Sequence, residues 1–320
     1  PAGDIPGRAG ARGLRSDWYG CAPQDRTRRG QHVRSPDTPP LGSVVDLVAE
    51  RSRRRGLPVT RPAPDPSADP VAEVAEHLAR LHDTRQPVVT VSWVNHHSAL
   101  RVLDSAPEVL GRLTYLGVDG LLLRRLLGAD LVPRTSADLV LPELLGRLRA
   151  PRVAVVGGRP EDLASLRRAV SALLPPDGEL VAVLDGYAGR PSADELEEWT
   201  ARTRPTVVLA GLGAPLQDQF VLEVARHLSR GLVLTCGGFL DQVQQEGYYP
   251  RWAYPLKLNW LVRLAREPRR MWRRYSVDAV AAFRARSVLR AGVLAAPGFQ
   301  RLRCYAWPDA DPWEPEASTS

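Results

Sequence analysis

The sequence predicts an α/β protein, a parallel sheet with helices on both faces, carrying a basic helical appendage at its C-terminal end. Two observations carry this. From residue 71 onward, short apolar runs of strand length alternate with single segments of helical period, the pattern of strand–helix–strand units and not of hairpins. The charge is also divided by position: residues 251–303 hold thirteen basic and two acidic residues, whereas residues 71–250 hold eighteen basic and twenty-two acidic ones. The net charge of +7 therefore originates in that C-terminal segment and not in the sheet-forming part.

The elements follow in order. Residues 1–70 contain eleven prolines, eight glycines and runs such as RSRRRGLPVTRPAPDPSADP, and they are expected to be largely disordered. A short apolar patch in them, SVVDLVAE, could dock on the core. The helical VAEVAEHLARLH is followed by PVVTVSWV, which reads as a buried strand. RVAVVGG then leads into PEDLASLRRAVSALL, ELVAVLDGY into SADELEEWTARTR, TVVLAGLG into APLQDQFVLEVARHLSR, and GLVLTCGG into a glutamine-rich turn. This is a Rossmann-like alternation spanning residues 71–250, with the basic aromatic segment at 251–303 and an acidic, disordered tail at 304–320.

Composition excludes several classes. No segment reaches about 18 consecutive apolar residues, so a soluble or peripheral protein is expected. Cys21, Cys236 and Cys304 are isolated thiols without metal-ligand spacing. His96 and His97 are adjacent, which on a strand or turn points their rings apart and speaks against a shared metal. The string Asp309-Ala310-Asp311 lies in the acidic tail with no strand before it, so no metal site and no cofactor is expected.

In parallel sheets ligands bind beyond the carboxyl ends of the strands. The loops there hold Asn95, Gly157 with Gly158, Gly186, Gly211 with Gly213, and Gly237 with Gly238. Such glycines either let the backbone approach a phosphate or simply make tight turns. None completes a GxGxxG fingerprint, which weakens a dinucleotide-dependent dehydrogenase reading.

Three blocks taken together resemble the WecG/TagA/CpsF glycosyltransferases, glycosyltransferase family 26. They are YLGVDGLLLRRLLGADLVPRT, VVLAGLGAPLQDQF and CGGFLDQVQQEGYYPRWAYPLKLNWLVRLAREPRRMWRRY, and they cover about residues 85–276 in the family's order. The resemblance implies a cytosolic enzyme, peripheral at the inner face of the plasma membrane. Such an enzyme moves a sugar from a UDP-sugar to a polyprenyl-diphosphate-linked acceptor, with inversion and without an essential metal, for a surface polysaccharide or teichoic acid-type polymer. Carried over by position, the catalytic aspartate falls on Asp119, a carboxylate of the type that takes the proton of an attacking hydroxyl. Arg125 and Asp130 match positions that follow it, with a surface salt bridge as their competing account. Gln217, Asp218 and Asp241 stand where the family's donor-site residues are expected. The chain departs from the family in Trp93, which replaces a Thr in the stretch SWVNHHS, and in Asp218, which replaces a Glu. It therefore reads as a divergent branch.

In the basic segment, Arg263, Arg266, Arg270 and Arg273 recur at spacings of three, four and three on one helical side, with Leu256, Trp260, Leu261 and Leu264 as the apolar counterpart. Three accounts are open: a capping helix with solvated arginines, a nucleic-acid surface, and an interfacial helix on anionic lipid. The family reading favours the third, with Arg263, Arg266, Arg270, Arg273 and Arg274 meeting the acceptor diphosphate or the membrane. Expected partners are then the UDP-sugar, the lipid-diphosphate acceptor and an anionic membrane surface, with room for a homo-oligomer and no nucleic acid. The alternative of another class is a non-catalytic basic protein that binds nucleic acid or anionic lipid on a nucleotide-binding fold.

Overall fold

The computed structural model describes residues 69–84, 87–128, 132–133, 135–245 and 259–306. The expectations for residues 1–68, Asp130, residues 246–258 and the end of the tail lie outside the described residues, as does the side chain of Arg270. In chain order the helices are α1 (Pro70–Asp83), α2 (His96–Ser105), α3 (Glu108–Arg112), α4 (Leu121–Leu127), α5 (Ala137–Arg147), α6 (Leu163–Ser171) and α7 (Leu196–Thr203). They continue with α8 (Leu216–Val224), α9 (Phe239–Val243), α10 (Asn259–Arg266), α11 (Pro268–Tyr275), α12 (Val277–Arg284), α13 (Arg286–Leu294) and α14 (Pro297–Ala306). The strands are β1 (Val89–Val94), β2 (Tyr115–Val118), β3 (Arg152–Gly157), β4 (Glu179–Leu184), β5 (Val207–Gly211) and β6 (Leu232–Thr235).

The six strands form one sheet in the order β2-β1-β6-β5-β3-β4, and every pairing is parallel. Because successive side chains on a strand point to opposite faces, Val153 and Val155 enter one core layer while Ala154 and Val156 enter the other. Helices α1, α5, α6 and α9 cover the first face, and α2, α3, α4, α7, α8, α12 and α13 the second. The Rossmann-like expectation holds, and the segment beyond the sheet is helical. Its last three helices share the core with the sheet: Ala282, Leu289, Val293 and Phe299 are buried on one face, Leu302 and Ala306 on the other.

The strand that periodicity did not reveal is β2, four residues long and interrupted by Gly117. Trp93 lies opposite Gly117 in the ladder, and a Cβ on Gly117 would stand 2.3 Å from the Trp93 indole. The glycine is there because the indole of β1 crosses over it. Helix α14 then closes this sheet edge: Arg301 donates through Nε to the Thr114 carbonyl at 2.8 Å and through Nη2 to the Leu113 carbonyl at 3.1 Å. His77 of α1 adds a hydrogen bond to the Tyr115 hydroxyl at 2.7 Å and stacks on Tyr305 of α14. An edge strand covered in this way presents no free ladder to another chain.

A buried polar chain fixes α8 to the middle of the sheet. Ser92 Oγ donates to Asp218 Oδ1 at 2.5 Å, Thr235 Oγ1 donates to Ser92 Oγ at 3.0 Å, and the Trp93 amide donates to Thr235 Oγ1 at 3.2 Å. Asp218 is fully buried, its Oδ2 has no hydrogen-bond partner among the described residues, and burial pushes its carboxyl up to about 6.

Asp218→Asn keeps the shape and the Ser92 contact while removing the charge. Between about pH 4 and 6 the folded state keeps a proton that the unfolded chain releases, so stability falls across that window and stays lower above it. The variant should lose this fall, gaining up to about 3 kcal/mol at pH 7.5 and essentially nothing at pH 3.5. Urea unfolding at the two pH values measures the difference; an equal gain at both would refute this account of the buried acid.

Candidate active site

Asn95 ends β1 and opens α2: its side chain accepts from the amides of His97 and Ser98, and Ser98 Oγ answers the Asn95 amide at 2.8 Å. This reciprocal cap sets the direction of α2 and spends the Asn95 carbonyl oxygen of the side chain on backbone. One strand over, Asp119 follows β2, with its amide donating to the Val94 carbonyl at 2.8 Å. Both residues border a cleft of about 390 Å³ beyond the carboxyl ends of β1 and β2. One wall is α4, with Arg124 and Arg125, joined by Thr135, Ser136 and Asp138 at the start of α5. The other is made by the C-terminal helices, which contribute Trp260 and Arg263 from α10, Arg274 and Tyr275 from α11, and Ala279 from α12.

The electrostatics centre on Asp119. Its carboxyl is raised, first by desolvation in the cleft and then by the carboxylate of Asp138; Arg263, Arg274 and the Gly120 amide act in the opposite direction. Two acids and four guanidiniums thus line one cleft, and Arg263 and Arg274 are the two that act on Asp119, in surroundings where each interaction is stronger than in water.

The C-terminal wall is tied to α2 by two histidines. His96, buried, donates from Nε2 to the Arg274 carbonyl at 2.9 Å, and His97 donates from Nδ1 to Asp278 Oδ2 at 2.8 Å. A carbonyl and a carboxylate can only accept, which fixes the protonated nitrogen in each ring. Burial lowers both imidazoles. The two rings thus take separate protein partners, and their place beside the cleft was not legible from the pair itself. Tyr275 stands between Trp260, at 6.0 Å in a T-shaped contact, and His96, at 6.3 Å.

The other site residues inferred from sequence divide into groups. Asn95, Asp119, Arg125, Arg263 and Arg274 are brought together in the cleft. Arg266 is exposed and bonded to Gln245 Oε1 at 2.7 Å, and Arg273 is exposed, so the basic face seen in the sequence is split between cleft and solvent. Gly157 and Gly211 make room for Leu240: a Cβ on either would lie within 2.8 Å of its Cδ1. Gly158 stands next to them at the end of β3, beside Leu166 of α6. Gly213 and Gly237, with φ of +76° and +49°, face open space, so at these two turns a ligand can approach backbone. Gly238 lies against Arg263, whose Nη2 would be 3.3 Å from a Cβ there, and this contact joins the glycine edge to the cleft. Gln217 and Asp218 are buried in α8 outside the lining of the cleft, and Asp241 lies in the first turn of α9, also outside it.

Sequence reasoning missed Thr135, Ser136 and Asp138, although a Ser followed two residues later by an acid, ahead of the apolar run of α5, is a readable helix start. It also missed Tyr187, which is 60% exposed on the loop after β4 at the same edge of the sheet. Among the described residues no group of three or more His, Cys, Asp and Glu side chains converges as a metal cage does.

Comparison with known proteins places the chain. Among curated proteins it is 21% identical over 196 residues to the UDP-Gal:alpha-D-GlcNAc-diphosphoundecaprenol beta-1,4-galactosyltransferase of Shigella boydii, covering 58% of this chain and 81% of that one. It is 22% identical over 211 residues to the N-acetylglucosaminyldiphosphoundecaprenol N-acetyl-beta-D-mannosaminyltransferase of Bacillus subtilis (strain 168), covering 65% and 80%. The family model described as glycosyl transferase WecG/TagA/CpsF family matches residues 67–293, which include the whole sheet and both walls of the cleft. The chain is thus a glycosyltransferase and belongs to the WecG/TagA/CpsF family.

Proposed function

We propose that the chain transfers a sugar from a UDP-sugar to a hydroxyl of a polyprenyl-diphosphate-linked sugar, with inversion and with arginines in place of a metal at the leaving group. The observation that carries this is the convergence of Asp119 with Arg263 and Arg274 in one cleft, with Arg263 also touching the glycine edge at Gly238. The Shigella relative is named for a UDP-galactose donor, and both relatives are named for lipid-diphosphate acceptors, which supports the substrate class.

In this reading the acceptor hydroxyl gives its proton to the Asp119 carboxylate while its oxygen attacks the anomeric carbon. The bond from that carbon to the diphosphate breaks on the opposite face, so a single displacement inverts the centre. The electron pair goes to the departing phosphate oxygen, which Arg263 and Arg274 neutralise with charge-assisted hydrogen bonds. The raised carboxyl of Asp119 makes it a stronger base than an ordinary aspartate once ionised. Gly213 and Gly237 offer the nucleotide open backbone, and Tyr187, on the loop after β4 at the same edge of the sheet, an exposed aromatic face. Gln217, Asp218 and Asp241 then support the donor side from behind.

No helix among the described residues is long and apolar enough to cross a membrane. Contact with the lipid acceptor falls instead to the C-terminal helices, where Trp272 is 67% and Phe283 59% exposed, with Leu261, Val277 and Val280 also exposed among Arg266, Arg269, Arg273, Arg284 and Arg286. Apolar side chains at headgroup depth and arginines on anionic lipid are the composition of an interfacial surface, which supports a peripheral position at the inner face of the membrane.

Four outcomes test this reading. Asp119→Asn should lower UDP release in the presence of a lipid-diphosphate acceptor by about a hundredfold or more with the fold unchanged. In the wild type, activity should decline on acidification from a pH above the ordinary carboxylate range; retained turnover in the variant would remove Asp119 as the base. His97→Ala and Asp278→Ala should each reduce kcat/KM about tenfold, and the double variant should be no worse than either, because a single bond between them ties the start of α12 to α2 next to the wall that carries Arg274. Additive losses would show that the two act separately. Finally, Trp272→Ser with Phe283→Ser should weaken flotation with anionic liposomes while leaving turnover of a water-soluble short-chain acceptor unchanged.

A further inference from the structure

Four guanidiniums line the cleft, Arg124 and Arg125 from α4 and Arg263 and Arg274 from the C-terminal helices, and Thr135, Ser136 and Asp138 stand at the start of α5 beside the first pair. Thr135 is 2% exposed, lines the cleft, and its hydroxyl has no hydrogen-bond partner among the described residues. A buried hydroxyl left unpaired costs about 1–3 kcal/mol, so a group entering the cleft has a partner waiting. Ser136 occupies the N-cap position of α5, yet its side chain makes no cap bond and donates to Asp138 Oδ1 at 2.5 Å. A preferred capping interaction is given up and the carboxylate of Asp138 is oriented instead. An acceptor-rich set of this kind repels phosphate and suits ligand hydroxyls, which donate.

Resting on the reaction proposed above, we propose that Thr135, Ser136 and Asp138 form a subsite for the hydroxyl face of a neutral hexopyranose, the ring being the transferred sugar or the acceptor's terminal sugar. A sugar diphosphate has a hydroxylated end and an anionic end, and the cleft offers the hydroxyls and carboxylate at the start of α5 to the first and the guanidiniums of Arg263 and Arg274 to the second. The subsite also reaches the chemistry, because the charge of Asp138 bears directly on Asp119.

The test uses the full chain, Thr135→Val and Asp138→Asn, both close in shape to the originals. Initial rates are measured with UDP-galactose and UDP-N-acetylglucosamine as donors and an alkyl-diphosphate-linked N-acetylglucosamine as acceptor, at pH 8, above the acid limb of Asp119. Inhibition by UDP, which has no transferred sugar, is the control. The expected result is a rise of about tenfold in KM for one substrate, matching the loss of one sugar hydrogen bond, with UDP inhibition unchanged. A donor KM that rises assigns the subsite to the transferred sugar, and an acceptor KM that rises assigns it to the acceptor. Unchanged KM values for both substrates in both variants would overturn the proposal, as would an equal weakening of UDP and both substrates. If the wild type turns over neither donor, the reaction reading fails by itself. Saturation-transfer NMR with methyl β-D-galactopyranoside and methyl N-acetyl-β-D-glucosaminide then decides the subsite. Signal in the wild type that is lost in both variants retains it, and no signal in the wild type removes it.

Discussion

A carboxylate withdrawn from water must be matched by positive charge, and Asp119 meets that requirement only through residues far along the chain. Its own strand end supplies one amide, while the neighbouring Asp138 makes its ionisation harder. The matching charge comes from Arg263 and Arg274, on helices that follow the last strand. The closing of α10–α12 over the ends of β1 and β2 therefore does more than cover a surface. It converts a desolvated acid into one that can be ionised inside a cleft.

That closure depends on packing at both ends of the C-terminal segment. At one end, His96 and His97 hold residues 274–278 against the start of α2, whose orientation is itself fixed by the Asn95 cap. At the other, α14 lies across the exposed edge of β2, close enough that a Cβ on Gly298 would stand 2.9 Å from the Leu113 carbonyl. Trp93 links the two regions, since its indole occupies the space that Gly117 leaves open and touches the layer beneath α14. Trp93 and the pair His96-His97 in the stretch SWVNHHS are thus neighbouring parts of one arrangement: the tryptophan shapes the sheet edge and the histidines anchor the wall of the cleft.

Alternation of apolar runs with helical segments made five of the six strands legible, because a buried parallel strand is a continuous apolar run whatever its neighbours are. The strand β2 escaped because it is short and its glycine answers a partner twenty-four positions away, which no local pattern encodes. The same limit governed the site. Asn95 and the glycine edge were legible as residues at strand ends, and Asp119 only through the family resemblance. Gly157 and Gly211, though correctly placed at the edge, turned out to accommodate Leu240, a packing relation that only the fold defines.

By itself the sequence determined the layer architecture, the location of the positive charge and the residue types available at the carboxyl edge, since these follow from local periodicity and composition. Tertiary structure decided which arginines enter the cleft and which remain in solvent. Arg263 and Arg274 face Asp119 while Arg266 and Arg273 do not, because the break before Pro268 separates α10 from α11 and the His96 bond to the Arg274 carbonyl holds α11 against α2. It also decided that Thr135 and Asp138, unremarkable at a helix start, line the same cleft as those arginines. Distances between segments far apart in sequence are set by packing, and neither spacing nor charge counts contain them.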